Sequence, residues 1–165
     1  MKEIRQLIEL LQLQPLAGEG GYFRRSYESD AEVRPGKKSA SAIYYLLTAG
    51  TFSSLHKLSA DEVYHFYLGD PVELLLLSPA GESRLVTLGQ DIAAGMEVQF
   101  AVPQGWYQGS RLKQGGSYAL LGTTMCPGYT DDDYTPADAD ALTQQFPQWA
   151  ELISALTRDP EYPDL

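Results

Sequence analysis

Cysteine and histidine are scarce in these 165 residues, which contain one cysteine, Cys126, and two histidines, His56 and His65. A single thiol excludes an internal disulfide. With no histidine or second cysteine near it in sequence, Cys126 is expected to be a small buried side chain rather than a nucleophile. Two imidazoles leave little nitrogen for a metal centre or a proton shuttle, so chemistry near neutral pH must draw on the stretch that holds both. Long apolar runs are also missing: no segment approaches the ~20 apolar residues that cross a bilayer. The first residues, Met1 to Gln6, lead into an amphipathic pattern rather than a signal-peptide core, which makes the cytoplasm the expected location. Basic residues are sparse from Gly128 onward, where nine acidic residues accompany one arginine within a total net charge of −10. Such a chain repels phosphate backbones and anionic lipid, so neither nucleic acid nor a membrane is expected as a partner. Walker, Rossmann, serine-elbow and zinc-knuckle spacings are absent.

What is present reads as one domain over 1–165, with 44% apolar residues spread evenly. A helical segment over 1–15 places Ile4, Leu7, Ile8, Leu10 and Leu11 on one side and ends at Pro15. Gly18 to Gly21 form a glycine cluster feeding a strand that runs to Tyr27, and Lys37 and Lys38 are expected at an exposed loop tip. A β core over about 20–125 follows, with strands at Ala42–Leu47, Thr51–Leu58, Glu62–Leu68, Val72–Leu77, Ser83–Leu88, Met96–Val102, Trp106–Leu112 and Ser117–Thr124. Short turns separate them and leave no room for crossover helices, so the sheet is antiparallel and the fold an all-β sandwich or barrel. A helical, acidic tail over about 135–158 begins with Thr135 as capping hydroxyl and Pro136 in the first turn. Leu142, Phe146, Trp149, Leu152, Ile153 and Leu156 supply its apolar faces, its acidic residues are expected as a solvated surface, and 160–163 reads as a frayed end.

The stretch from Gly50 to Gly69 carries the most informative spacing: Gly50, five residues, His56-Lys57-Leu58, three residues, Glu62, six residues, Gly69. A second stretch reads Gly95, then Pro103-Gln104-Gly105-Trp106-Tyr107-Gln108. The first resembles the opening motif of the cupin superfamily, with Leu58 where that motif has a second histidine. The second is similar to the other cupin motif, with Glu97 in its glycine slot and Gln108 in place of its histidine. Gly20 to Tyr27, Ser59 to His65, Leu88 to Asp91, Val102 to Trp106 and Gly122 to Gly128 resemble one small single-domain cupin family. The resemblance implies an antiparallel jelly-roll barrel like that of the dTDP-sugar 3,5-epimerases, with an N-terminal helix and short C-terminal helices, assembled as a homodimer.

For the site, the resemblance implies that His56 and Glu62 face the barrel interior from neighbouring strands. Strand parity puts Tyr64 beside Glu62, and Trp106 and Ser110 beside Gln108. Such a cavity binds a small molecule, here a polar, sugar-like metabolite. His56, Glu62 and Tyr64 are the candidates for proton transfer. Gln108, Trp106 and Ser110 are the candidate ligand contacts, and Arg24 and Arg25 reach toward the barrel mouth. The metal positions of a cupin fall on His56, Glu62 and Gln108, but one imidazole, one carboxylate and one amide are a poor set for a transition metal. No cofactor is therefore required, and a divalent metal is the less favoured occupant. The expected chemistry is metal-independent isomerisation or epimerisation; the alternatives are a non-catalytic binding module and, behind it, a metal-dependent oxygenase or lyase. His65 points away from Glu62 if the strand is unbroken.

Overall fold

The structure is a computed structural model that describes residues 2–159 and residue 162. The chain runs α1 (Lys2–Leu11), β1 (Gln14–Pro15), β2 (Tyr22–Glu28), β3 (Glu32–Arg34), β4 (Lys37–Lys38), β5 (Ser41–Thr48), β6 (Phe52–Leu58), β7 (Glu62–Gly69), β8 (Val72–Leu77), β9 (Ser83–Leu88), β10 (Gln99–Val102), β11 (Tyr107–Leu112), β12 (Tyr118–Met125), β13 (Tyr134–Pro136), α2 (Ala139–Gln145) and α3 (Ala150–Ala155). A six-stranded sheet has the order β1-β2-β5-β12-β7-β10, and a five-stranded sheet the order β13-β6-β11-β8-β9. Every strand pair in both is antiparallel. The all-β, antiparallel expectation holds, with the helices at the two ends of the chain. Of the expected frayed end at 160–163, residues 160, 161 and 163 lie outside the described residues.

Between the sheets, Tyr45, Leu47, Tyr64, Phe66, Leu74 and Leu121 form the main core with their neighbours. The run Val72-Glu73-Leu-Leu-Leu-Leu77 lacks the alternation of a half-exposed strand because β8 is covered on both faces. Leu74 and Leu76 join the inter-sheet core, while Leu75 and Leu77 pack against Leu142, Phe146, Leu152 and Ile153 of the C-terminal helices. At the other side, Ile4 of α1 packs with Tyr22, Leu46 and Leu120 on the outer face of the six-stranded sheet. Leu10 departs from the expected stripe and is largely exposed. Ile4, Leu7, Ile8 and Leu11 keep the i, i+3, i+4, i+7 spacing. The helix also stops earlier than Pro15: Gln12 takes a left-handed φ of 54°, and Leu13 N–H returns to the Ile8 carbonyl at 2.9 Å.

Four further expectations are corrected. Lys37 is buried rather than at a loop tip, because its ammonium pairs with Asp133 and also reaches Thr130 Oγ1 at 3.1 Å. Asp133 therefore does not belong to a solvated acidic surface; it also accepts hydrogen bonds from Ser59 and from the Thr130 backbone. Thr135 caps no helix: Tyr134–Pro136 is an edge strand on β6, and the cap of α2 is Asp138, whose carboxylate accepts from Ala141 N–H at 3.0 Å. Cys126 is exposed, at the turn where β12 leaves the sheet.

Candidate functional site

His56 lies in β6, directly opposite Gln108 of β11 on one side and Pro136 of β13 on the other. Between His56 and Ser53, β6 carries one more residue than β11, a bulge that frees backbone groups from the ladder. Ser54 N–H uses that freedom to meet the Glu19 carbonyl at 2.7 Å. The Ser54 carbonyl takes a 2.7 Å hydrogen bond from His56 Nδ1. A carbonyl only accepts, so the proton of a neutral ring is on Nδ1, and Nε2 keeps its lone pair with no partner among the described residues. The ring stacks on Tyr134 with centroids 4.7 Å apart. Burial pushes the imidazole below its ordinary value, against the opposing pull of Glu62 and of the Ser54 hydrogen bond. At neutral pH it is an uncharged base.

Glu62 begins β7 and pairs with Val102 and Met125, so it belongs to the six-stranded sheet while His56 belongs to the five-stranded one. The expectation of neighbouring strands is thereby corrected. The two residues are consecutive in the motif but approach from opposite sheets, because the turn at Ser59 to Asp61 carries the chain across the sandwich. Glu62 Oε2 accepts a 2.8 Å hydrogen bond from Gln108 Nε2, which ties the sheets together. Burial, and then the neighbouring Glu19, raise the Glu62 carboxyl; His56, Thr123 and Gln108 oppose them.

A cavity of about 240 Å³ lies beside this pair, walled by Leu16, Phe23, Ile43 and Met125 and reached by Glu19, His56, Glu62, Tyr45, Tyr64 and Thr123. Leu58 also lines it, contributing wall where a second imidazole would have supplied a donor. Tyr64 takes its expected place, and burial keeps its phenol well above the usual range. Arg25 reaches the cavity rim, where its guanidinium is held by Glu28 at 2.6 Å and the Tyr129 carbonyl at 3.3 Å. Arg24, one position earlier, points to the other face of β2 and lies over the Tyr44 ring at 5.4 Å. Trp106 is half-buried against the inter-sheet core, and Ser110 is fully buried opposite Ser53; neither lines the cavity. His65 sits on the outer face of the sheet between Gln99, at 3.2 Å, and Thr124, at 3.1 Å.

Glu19, Tyr45, Tyr129 and Asp131 escaped the sequence reading. Glu19 enters from the loop before β2, its carboxylate accepting from Ser53 Oγ at 3.0 Å. Burial pushes it up to about 7, against the pull of that hydrogen bond. The loop reaches so deep because Gly21, at φ 70°, passes within van der Waals contact of Tyr45; a Cβ there would stand 2.9 Å from the ring. The Tyr45 hydroxyl fastens the same loop by donating to the Gly20 carbonyl at 2.9 Å. Tyr129 and Asp131 complete the rim. A lone carboxylate among three glycines was the available signal for Glu19.

A metal is the occupant a cupin motif implies, and the donors here do not fit one. Gln108 turns its amide nitrogen toward Glu62 and leaves Oε1 buried without a partner. Leu58 is apolar, and among the described residues no three His, Cys, Asp or Glu side chains gather as ligands.

A model of the family described as Cupin superfamily (DUF985) matches residues 5–137. The X-ray structure of a protein from Shewanella oneidensis is 38% identical, with a TM-score of 0.86, and the match covers 94% of this chain and 97% of that one. A hypothetical protein from Leishmania major is 27% identical, with a TM-score of 0.84 over 94% and 98% of the two chains. Oxalate decarboxylase from Bacillus subtilis shares the fold alone, at 16% identity and a TM-score of 0.56, covering 92% of this chain and 40% of that enzyme. No curated protein sequence matches. With its β sandwich, its first motif on β6 and β7 and a family match over most of its length, this chain belongs to the Cupin superfamily (DUF985).

Proposed function

We propose that the protein binds a compact, polar, sugar-like metabolite in the cavity and isomerises or epimerises it without a metal. The observation that carries this reading is the meeting, beside one cavity, of an uncharged imidazole with an unpartnered Nε2 and a carboxyl raised by burial. Their environments move a base and an acid toward each other, as proton transfer near neutral pH requires. His56 Nε2 takes a proton from the carbon next to a carbonyl while Glu62 delivers its proton to the carbonyl oxygen. The imidazolium then gives its proton to the former carbonyl carbon while the Glu62 carboxylate takes one from the neighbouring hydroxyl, which completes the isomerisation. In an epimerisation the starting carbon is reprotonated on its other face, and Glu62 recovers its proton from the oxygen. Tyr64 stays protonated and steadies the oxygen that gains charge. The volume of about 240 Å³ falls below the range of roughly 300–1,000 Å³ usual for drug-sized ligands, which suits a single sugar ring and not a whole nucleotide sugar.

The test is solvent exchange. The protein is incubated with free aldoses and ketoses in D₂O, and deuterium at the carbon beside the carbonyl is read by NMR. His56→Asn and Glu62→Gln should each lower exchange by about 10²–10⁴-fold; undiminished exchange in both overturns the mechanism. A second reading, a non-catalytic binding module, draws support from the near-complete burial of His56 and Glu62, at 1% and 7% exposure. Saturable binding that weakens in both variants, without exchange in the wild type, selects it. The same proposal takes the protein to be a cytoplasmic homodimer. The lone exposed thiol of Cys126 suits a reducing compartment, and exposed Tyr67 and Leu68 on β7 offer a surface for a second copy. Sedimentation at the 18.2 kDa mass of one chain contradicts the dimer.

A further inference from the structure

Of the titratable groups around the cavity, the two marked by the sequence motif show almost no surface: His56 is 1% and Glu62 7% exposed. Glu19 differs. The residue keeps appreciable accessible surface, and it lines the cavity. Of the three carboxyl and imidazole groups lining the cavity from Glu19, His56 and Glu62, Glu19 belongs to the residue with the most accessible surface. The group is also fixed in place. Its backbone carbonyl is bonded to Ser54, its carboxylate to Ser53, and the following Gly20 carbonyl to the Tyr45 hydroxyl. One oxygen of the carboxyl has a protein partner, and the other has none among the described residues.

Charge narrows what this carboxyl accepts. Among the described residues Arg25 is the one cationic side chain lining the cavity, and it is already paired with Glu28 and hydrogen-bonded to the Tyr129 carbonyl. Against it stand Glu19, Glu62 and Asp131. An anionic ligand would shed its water to face three carboxyls against one cation that already has a carboxylate partner, which is costly in a partly enclosed site. We propose that Glu19 is the carboxyl that grips the ligand, and that the cavity takes uncharged hydroxyl- or carbonyl-bearing molecules and excludes their phosphorylated or carboxylated derivatives. This rests on the small-molecule reading above and names its substrate class. It also separates the cavity from sites that read a phosphate or a carboxylate with an arginine fork.

The protonated carboxyl donates its O–H to a ligand oxygen, and Gln at this position would donate N–H in the same direction. The charged or titratable groups facing Glu19 are Glu62 and Tyr64 from β7, His56 from β6, Tyr45 from β5, Tyr134 from β13, and Tyr129, Asp131 and Tyr162 from the segments packed over them, with Arg25 at the rim. The phenols remain protonated through pH 9, because burial raises those of Tyr45, Tyr64, Tyr129, Tyr134 and Tyr162.

The experiment is calorimetric titration of wild type, Glu19→Gln, Glu19→Ala and Glu62→Gln with free hexoses and pentoses, their terminal phosphates and their uronic acids, at pH 6 and pH 8.5, after thermal melts show each variant folded. The expected result is binding of uncharged sugars, with phosphates and uronates at least tenfold weaker. Wild-type affinity should fall at least tenfold from pH 6 to pH 8.5, and in Glu62→Gln too. Glu19→Gln should hold its affinity at both pH values, and Glu19→Ala should lose tenfold or more. Tighter binding of a phosphate or uronate than of its parent sugar overturns the substrate class. Unchanged affinity in Glu19→Ala overturns the role of Glu19 and leaves the cavity reading standing. No binding by any member of the panel overturns both.

Discussion

Glu19 and His56 show how one side chain's surroundings set its chemistry. Burial moves each toward its uncharged form, the carboxyl up to about 7 and the imidazole downward. For Glu19 the folded state therefore holds a proton more tightly than the unfolded chain, whose carboxyl lies at about 4.5. A raised acid contributes its full stability below the unfolded value and loses it as pH climbs toward the folded value. Glu19→Gln, which resembles the protonated acid, should leave the melting temperature nearly unchanged at pH 4, below the unfolded value of 4.5, and raise it at pH 8. Thermal melts at those two pH values check this, and a lower melting temperature at pH 8 would speak against a buried, ionising carboxyl. His56 and Glu62 were legible as a pair facing one interior because their spacing resembles the cupin motif, and both line the cavity. Glu19 was not, because nothing local reveals that a glycine loop will fold inward; its partners Ser53 and Tyr45 lie 34 and 25 or more residues away.

Elements whose identity rests on short-range pattern were read closely, and those settled by distant partners were not. β8 and β9 fall at Val72–Leu77 and Ser83–Leu88, the bounds the β-branched and leucine runs and their flanking turns mark. The Thr135-Pro136 signal resembled a helix start, but the backbone there adds to the edge of β6, with Ala137 N–H donating to the Leu55 carbonyl at 3.0 Å. The helix begins only at the next acidic cap. Lys37 looks like a loop cation because its counter-ion is 96 residues away. That ion pair clasps β4 to the turn before β13, and Ser59 joins it from the β6–β7 turn. Burial alone would raise the Asp133 carboxyl, but hydrogen bonds from Lys37, Ser59 and Thr130 outweigh it and hold it at about 2, below its ordinary 3.8. A depressed acid stabilises the fold above its unfolded value and loses that contribution as pH falls through the folded one. Asp133→Ala leaves the Lys37 ammonium buried and unpaired, and should cost about 3–5 kcal/mol in chemical denaturation at pH 7. Lys37→Met added to it should restore part of the loss. A cost near zero in the single variant would show that the clasp contributes nothing.

At the scale of the whole molecule, helices from opposite ends of the chain cover part of each sheet's outer face, and the space between the sheets holds the cavity. Most of that space is filled by side chains such as Phe66, Leu74 and Leu121. The part beside His56 is not: Leu58, Glu19 and Tyr64 line an open volume there. The antiparallel sandwich was legible because eight strands and their turns announce themselves locally. The cavity was legible only as an expectation, since whether Tyr64, Phe66 and Trp106 fill a barrel depends on how the sheets face each other. Tyr64 lines the open volume, whereas Phe66 and Trp106 pack away from it. The central claim, that this volume receives a small uncharged polar molecule, is tested most directly by chemical-shift mapping on labelled protein titrated with free hexoses and pentoses. The account predicts saturable shifts concentrated at Glu19, His56, Glu62, Tyr64 and Thr123. Saturable shifts confined to other surfaces, or none at these residues with any sugar in the series, would contradict it.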